Sequence, residues 1–401
     1  MDWSSHNHQA ASRRLRLSDH LLRDADSIAA DVGTLEAERW ASGWLGQAWV
    51  AAPMTERRAD HRLCAEVVAQ VCAAPSPEGL AAVAALSRVA AAADRPMLTS
   101  AVESLTQGQP APPWATQPHA VPARAWRAVD VWDSERVLFI EYLEANGSPA
   151  HTLMASIVEP GGLIIEKLAV LQPGVAQRWN GLRKAEEVPM PVHEDRVAAV
   201  LADLANALRT TDQIWPRPDD EDFVELRALA WSRSLGHLPE IPELAVLADA
   251  ERAALIEAFV ADVRGTGMGA ARTDIGVTRE LARLFLEFGE DSFPAGPLAW
   301  SPGWVAVFLT GWLPRKVFLD GPRGAALPDT LRHWVRFALR RRAVPEPWIA
   351  PVVVAVDDYL PAYAEATDDE AAWTPTKQIA AELAAQGVHP ADSDAVDLVT
   401  Q

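Results

Sequence analysis

The sequence predicts a mainly helical α+β protein. We expect a helical N-terminal domain, a central three-stranded antiparallel β-meander packed on helices, and a helical C-terminal domain. Apolar residues recur at helical spacing over residues 27–106 and again over 301–358. Between these segments the apolar period shortens to about two residues, which is typical of strands. Because 401 residues exceed one ordinary hydrophobic core, more than one domain is expected.

The N-terminal part begins with a basic segment, residues 1–24, which we expect to be a mobile tail, and continues as a helical domain over residues 25–107. One helix is predicted after Thr34, and another after Ser76-Pro77, because serine before a proline is a helix-start signal. Cys64 and Cys72 lie eight residues apart on one predicted helix, roughly 12 Å, which is too far for a disulfide.

The central part starts with a Pro-rich segment, residues 108–122, which predicts an extended linker. Residues 123–290 are predicted to hold the β-meander and its covering helices. The strands are expected at 136–143, 151–158 and 163–171, and the helices at 175–187 and 193–210. The C-terminal helical domain then covers residues 291–366, and residues 367–401 form a last helix and a tail.

Composition restricts the function classes. The net charge of −19 disfavours nucleic acid and anionic membrane surfaces as partners. The N-terminus has basic residues without a following apolar run, which argues against a signal peptide, and no apolar stretch is long enough for a transmembrane helix. The sequence therefore predicts a cytoplasmic protein without membrane contact.

Four short patterns with ionisable or glycine residues are weak as functional signals. The loop Gly265–Gly269 lacks the preceding strand of a phosphate loop. We expect His193 and Glu194 to cap a helix, and the acidic run Asp219–Asp222 to be a solvated loop that begins one. His151, at the start of a strand, is interpreted as a structural or surface histidine. No catalytic residue, metal site or cofactor is predicted.

A basic cluster is the strongest candidate for a binding surface. Its members are Arg315, Lys316, Arg332, Trp334, Arg336, Arg340 and Arg341. Arg332, Arg336 and Arg340 repeat every four residues and so share one helix face. Such a face can bind phosphate or an acidic protein surface. The alternative is internal pairing, for example with Asp219–Asp222 or Asp357-Asp358.

Three segments carry a resemblance to a known group of proteins. The first includes Pro112–Ala115, Trp126, Asp130–Asp133 and Val137–Tyr142; the second His151–Leu153, Ile157-Val158 and Gly161-Gly162; the third Trp300–Pro302, Trp312–Val317 and Trp334–Phe337. In these the chain resembles a family of uncharacterised proteins widespread in high-GC Gram-positive bacteria, from about residue 30 onward. In similar sequences an aspartate commonly follows the position of Ile157, whereas this chain has Val158. The resemblance therefore implies no catalytic residue.

Three functions are compatible with this pattern. The first is a non-catalytic binding or regulatory protein that acts through contacts with another protein. The second is a nucleic-acid-associated protein that uses the helix Arg332–Arg342. The third is an enzyme without a recognisable motif, whose active site would lie at the junction of meander and helices near His151.

Overall fold

The computed structural model describes residues 16–29, 32–56, 58–144, 149–184, 187–238, 247–265 and 274–385. Within them the protein is mainly helical with one antiparallel sheet, so the predicted fold class is confirmed at that level. Most of the predicted N-terminal tail, residues 146–148 between the first two predicted strands, most of the loop Gly265–Gly269 and the predicted C-terminal tail beyond residue 385 lie outside the described residues.

Six helices form the N-terminal part: α1 (Leu17–Asp24), α2 (Asp26–Ala29), α3 (Thr34–Ala51), α4 (Ala59–Ala73), α5 (Pro77–Val89) and α6 (Arg95–Thr106). The predicted start of α5 is confirmed, because the Ser76 side chain accepts a hydrogen bond from the Gly79 amide at 3.0 Å. Apart from Pro77, Glu78 and Ser87, every residue of α5 is buried, so this helix is the centre around which the others pack.

The sheet has five strands: β1 (Val121–Val129), β2 (Glu135–Leu143), β3 (Pro149–Val158), β4 (Ile164–Leu171) and β5 (Val192–Asp195), in the order β4-β3-β2-β1-β5. The predicted three-stranded meander corresponds to β2, β3 and β4, so the prediction lacked two of the five strands. Strand β1 extends the meander on one side, and β5 pairs with β1 at the edge, with Ala125 opposite Asp195.

The segment 193–195 corrects a second expectation. His193 and Glu194 belong to β5 and do not cap a helix. Ion pairs hold this short polar strand in place: Arg124 binds Glu194 and Arg127 binds Asp195, both at 2.7 Å. Charged side chains are common on edge strands, where one side of the strand faces water. Helix α8 (Val197–Thr211) starts only after the strand.

The two faces of the sheet belong to different cores. Leu138, Ile140 and Leu153 face the N-terminal helices together with α8 and α9 (Glu221–Ser234), and they share one continuous core with those helices. Phe139 and Met154 lie on the opposite face, where α7 (Val175–Leu182) covers them. This alternation follows from the two-residue period of a strand.

The segment predicted as a linker lies against the first core. Pro113–Thr116 forms a 3₁₀ turn in which Trp114 is buried, and its indole N–H donates to the carbonyl of Ile28 at 2.9 Å. The turn therefore fixes the path from α6 into β1. The predicted domain boundaries themselves stay predictions.

The C-terminal part contains helices α10 (Asp249–Gly265), α11 (Ile275–Ser292), α12 (Pro302–Val307), α13 (Leu313–Lys316), α14 (Gly321–Arg341), α15 (Glu346–Asp368) and α16 (Pro375–Ala385), with a π-helical turn at Phe308–Trp312. They surround a second core rich in aromatic rings, in which Trp300 and Trp334 are fully buried. Trp132 from the β1–β2 turn also packs there. None of the described helices combines the length and apolar character required to cross a membrane.

Candidate ligand-binding site

A cavity of about 440 Å³ lies where the N-terminal helices meet the sheet. Its wall includes the start of α3, the 3₁₀ turn with Trp114, the start of β3 and the end of α9. The lining side chains comprise Leu35, Glu38, Trp114, Glu144, His151 and Arg233, among others. We call it the Glu38 cavity. Its volume lies within the range of pockets that hold small ligands.

Glu38 is the charged centre of this cavity. Its carboxylate is buried and accepts hydrogen bonds from Arg88 Nε at 2.9 Å and from an Arg233 Nη at 2.5 Å. His119 Nδ1 lies 3.3 Å from the same carboxylate. Burial alone would raise the pKa of Glu38, but the hydrogen bond from His119 and the charges of Arg233 and Arg88 outweigh it and lower the pKa to about 2. Glu38 is therefore ionised at neutral pH.

His151 and Tyr142 form the sheet side of the site. They are cross-strand partners on β3 and β2, and their rings stack at 4.9 Å between centroids with an interplanar angle of 10°. Burial, with the charge of Arg233, lowers the pKa of His151 to about 4, so the imidazole is neutral at pH 7. The guanidinium carbon of Arg233 lies 5.5 Å from the centre of the Tyr142 ring.

Several polar atoms around Glu38 are buried without a hydrogen-bond partner in the described part of the chain. They are Arg88 Nη2, Arg233 Nε, Tyr142 Oη and His151 Nδ1. The side chains of Arg88 and Arg233 are each 6% exposed, and His151 is 3% exposed. An unpaired buried polar group lowers the stability of the fold by about 1–3 kcal/mol, so several such groups in one place are typical of a site where a ligand supplies the missing hydrogen bonds.

A second cavity, of about 200 Å³, lies between α4, α5 and α9. Its charged side chains already satisfy one another. Arg227 donates to both oxygens of Asp212 at 2.7 Å and to Asp60 at 3.1 Å. The indole of Trp231 also donates to Asp212, at 3.0 Å. This arrangement stabilises the packing of α9, and it offers a ligand fewer open donors than the Glu38 cavity.

The predicted basic cluster is distributed over α13 and α14, and several of its members have internal partners. Arg332 pairs with Asp329 and with Asp357, and Asp357 is one of the carboxylates named for the alternative of internal pairing. Arg340 pairs with Glu346 at 3.0 Å, and the charge of Arg336 also acts on that carboxylate. Trp334 lies in the second core and is not at the surface.

The remaining members of the cluster contact aromatic rings. Lys316 Nζ lies 5.4 Å from the ring centre of Trp312, and the Arg341 guanidinium lies 5.5 Å from that of Phe337. The backbone carbonyl of Arg315 accepts a hydrogen bond from Thr374 at 2.9 Å. The exposed charge of this surface is therefore carried by Arg315, Lys316, Arg340 and Arg341, whereas Arg332 and Arg336 are partly buried.

The other weak candidates have structural roles. Asp220 caps α9 by accepting from the Phe223 amide at 2.9 Å, as expected for an acidic run that begins a helix. His151, in contrast, is buried, and its ring lies at the cavity. Across the described residues no group of three or more His, Cys, Asp or Glu side chains is arranged to hold a metal ion.

Glu38, Arg88 and Arg233 were not identified from the sequence. Their signal is position: Glu38 shares a helix face with Ala41, Ser42 and Leu45, and Arg88 lies in the otherwise apolar end of α5. Comparisons with models of protein families, with curated proteins and with solved structures found no match. The resemblance to the high-GC Gram-positive family stays a prediction.

Proposed function

We propose that this chain is a non-catalytic cytosolic binding protein with a regulatory role, and that the Glu38 cavity is where it takes up a small ligand. The observation that carries the proposal is the set of buried, unpartnered polar atoms around Glu38, which lie beside a cavity of about 440 Å³. Binding is favoured over catalysis because His151, with a pKa of about 4, is a poor proton acceptor at neutral pH.

A thermal-shift screen of the full chain against a library of small metabolites tests this proposal. We expect at least one compound to raise the melting temperature in a concentration-dependent way, because a ligand that binds the folded state stabilises it. The variant His151→Phe keeps an aromatic ring beside Tyr142 but removes the imidazole nitrogens, and it should weaken the response. His193→Phe, on the exposed edge strand of the same sheet, is the matched control. A library without any stabilising compound, or equal responses from both variants, would contradict the proposal.

The second part of the proposal is that the protein acts through contacts with another protein. The surface offered for this is the exposed end of α14 with Arg340 and Arg341, which suits an acidic partner. Affinity purification should recover a stoichiometric partner, and Arg341→Glu should reduce its recovery. Arg62→Glu, which changes the same charge on α4, is the control.

The alternative, nucleic-acid association, would use the same arginines. Arg332 and Arg340 already pair with carboxylates, and the net charge of −19 opposes a polyanion, so the ion pairs and charge favour the protein partner. Duplex DNA binding that weakens steeply with salt and disappears in Arg336→Glu/Arg340→Glu would favour the alternative instead.

A further inference from the structure

We propose that the Glu38 cavity binds a small organic monocarboxylate, whose carboxylate group lies between the N-terminal end of α3 and the guanidinium of Arg233. The inference rests on the proposed function, since it names the ligand class of the same cavity. Three features support it: a helix terminus at the cavity wall, the buried guanidinium of Arg233 and the balance of buried charge around Glu38.

The N-terminal end of α3 forms part of the cavity wall. Val32, Gly33, Thr34 and Leu35 all line it, and Gly33 is the N-cap residue. Glycine has no side chain to accept a hydrogen bond from the first-turn amides, and none is made by a cap side chain here. The first amides of an 18-residue helix carry partial positive charge and favour an anion.

The buried guanidinium of Arg233 lines the same cavity. One of its Nη atoms is occupied by Glu38, whereas Nε has no hydrogen-bond partner among the described residues. A guanidinium N–H can only donate, so the complementary ligand atom must be an acceptor, and an ionised oxygen makes the strongest bond. Arg88, the other arginine bound to Glu38, is not among the residues that line the cavity, so Arg233 is the guanidinium within reach of a ligand.

The balance of buried charge selects a single negative charge. Two buried arginines face one buried carboxylate, which leaves one positive charge in excess. A monoanion neutralises that excess, whereas a dianion such as hydrogen phosphate would leave a buried negative charge. Glu144 also lines the cavity, but it is exposed, so water and salt screen its charge and it does not enter this balance.

The rest of the cavity wall fits an organic body. Leu35, Pro113, Trp114 and Ala150 supply apolar surface. His151, stacked on Tyr142, adds a neutral imidazole whose buried Nδ1 has no hydrogen-bond partner among the described residues. The combination predicts a small acid with an apolar part, in preference to a fully hydrated anion.

Isothermal titration calorimetry of the full chain at pH 7 tests the inference with matched probes. Benzoate and butyrate are the monocarboxylates, benzamide and butyramide are their uncharged counterparts, and sulfate and succinate are the dianions. We expect at least one monocarboxylate to bind at least about tenfold more tightly than its amide and than either dianion, since hydrogen bonds to charged groups are stronger than neutral ones.

Two variants tie the preference to this cavity. Arg233→Lys keeps the charge but removes Nε, and it should weaken carboxylate binding about tenfold or more while leaving any amide binding nearly unchanged. Arg39→Lys, which alters a surface ion pair on α3, should bind as the parent chain does. Circular dichroism spectra confirm that each variant is folded before titration.

The outcomes separate this inference from the proposed function. Carboxylate binding that is lost in Arg233→Lys supports both. The monocarboxylate inference is wrong, although the cavity still binds a ligand, if an amide, sulfate or succinate binds as tightly as the monocarboxylates or more tightly. It is also wrong if Arg233→Lys leaves monocarboxylate binding unchanged. If neither these probes nor any compound of the metabolite library binds, the proposed function fails together with the inference.

Discussion

Glu38→Gln is expected to destabilise the first core by about 3–5 kcal/mol at pH 7. The substitution leaves two buried guanidiniums with an uncharged amide between them, and breaking a buried ion pair by removal of one partner costs about this much. The pKa of Glu38 gives an independent figure. It lies near 2 compared with an ordinary value of 4.5, and at about 1.4 kcal/mol per unit this difference corresponds to roughly 3–4 kcal/mol.

The same pKa sets the pH dependence. A carboxylate whose pKa is lower in the folded state stabilises the fold above its unfolded pKa, and this contribution is lost as the pH falls through the folded value. The difference in unfolding free energy between the parent chain and Glu38→Gln should therefore be constant above about pH 5 and shrink from pH 4.5 towards pH 2.

Urea unfolding followed by far-UV circular dichroism at pH 7, 4 and 3 measures both effects. The control is Glu225→Gln, which removes the carboxylate of an ion pair that is 36–44% exposed and should cost less than about 1 kcal/mol. Equal losses for Glu38→Gln and Glu225→Gln at pH 7 would refute the assignment of Glu38 as the buried charged centre of the site.

Two further predictions concern the packing of the N-terminal helices. Burial, together with the nearby charges of Asp94 and Asp60, raises the pKa of Cys64 to about 12, whereas Cys72 is exposed. A thiol reagent should therefore label Cys72 in the native protein and Cys64 only after unfolding. Peptide mapping that finds Cys64 labelled first would contradict this prediction. Gly46→Ala should lower the free energy of unfolding in urea by about 2 kcal/mol or more, because a Cβ there would collide with the backbone carbonyl of Val224. The control is Gly43→Ala in the same helix, whose Cβ would lie an ordinary 3.7 Å from the Glu225 side chain. This variant should be as stable as the parent chain or more stable.

The sequence predicted the elements whose local signals agree with their tertiary setting. Strands β2, β3 and β4 are mostly apolar and contain β-branched or aromatic residues. The helix start at Ser76-Pro77 has both a cap and a fixed proline backbone angle. Strand β1 was missed because Pro122, Ala125 and Ala128 are poor strand formers, and β5 because four residues with three ionisable side chains have no strand signal. Pairing with β2 and with arginines of β1 stabilises them, and this tertiary context is not visible locally.

The candidate site could not be predicted from local sequence patterns, for a related reason. Glu38, Arg88, His151 and Arg233 come from α3, α5, β3 and α9, so their distance along the chain conceals their proximity in space. The structural interpretation of His151 considered its position at a strand start, whereas its stacking on Tyr142 and contact with the cavity depend on the β2–β3 register.

A more sensitive sequence criterion follows from Glu38 and Arg88. Each is an ionisable residue on a helix face that is otherwise small or apolar, so the helical pattern alone places both charges in the core. An ionised side chain in a core requires an opposite charge, and α3 and α5 offer one of each sign. The helical pattern alone could therefore have predicted the ion pair between Glu38 and Arg88, but it could not have predicted the excess positive charge that favours a monocarboxylate. It arises only when α9 brings Arg233 to the same carboxylate.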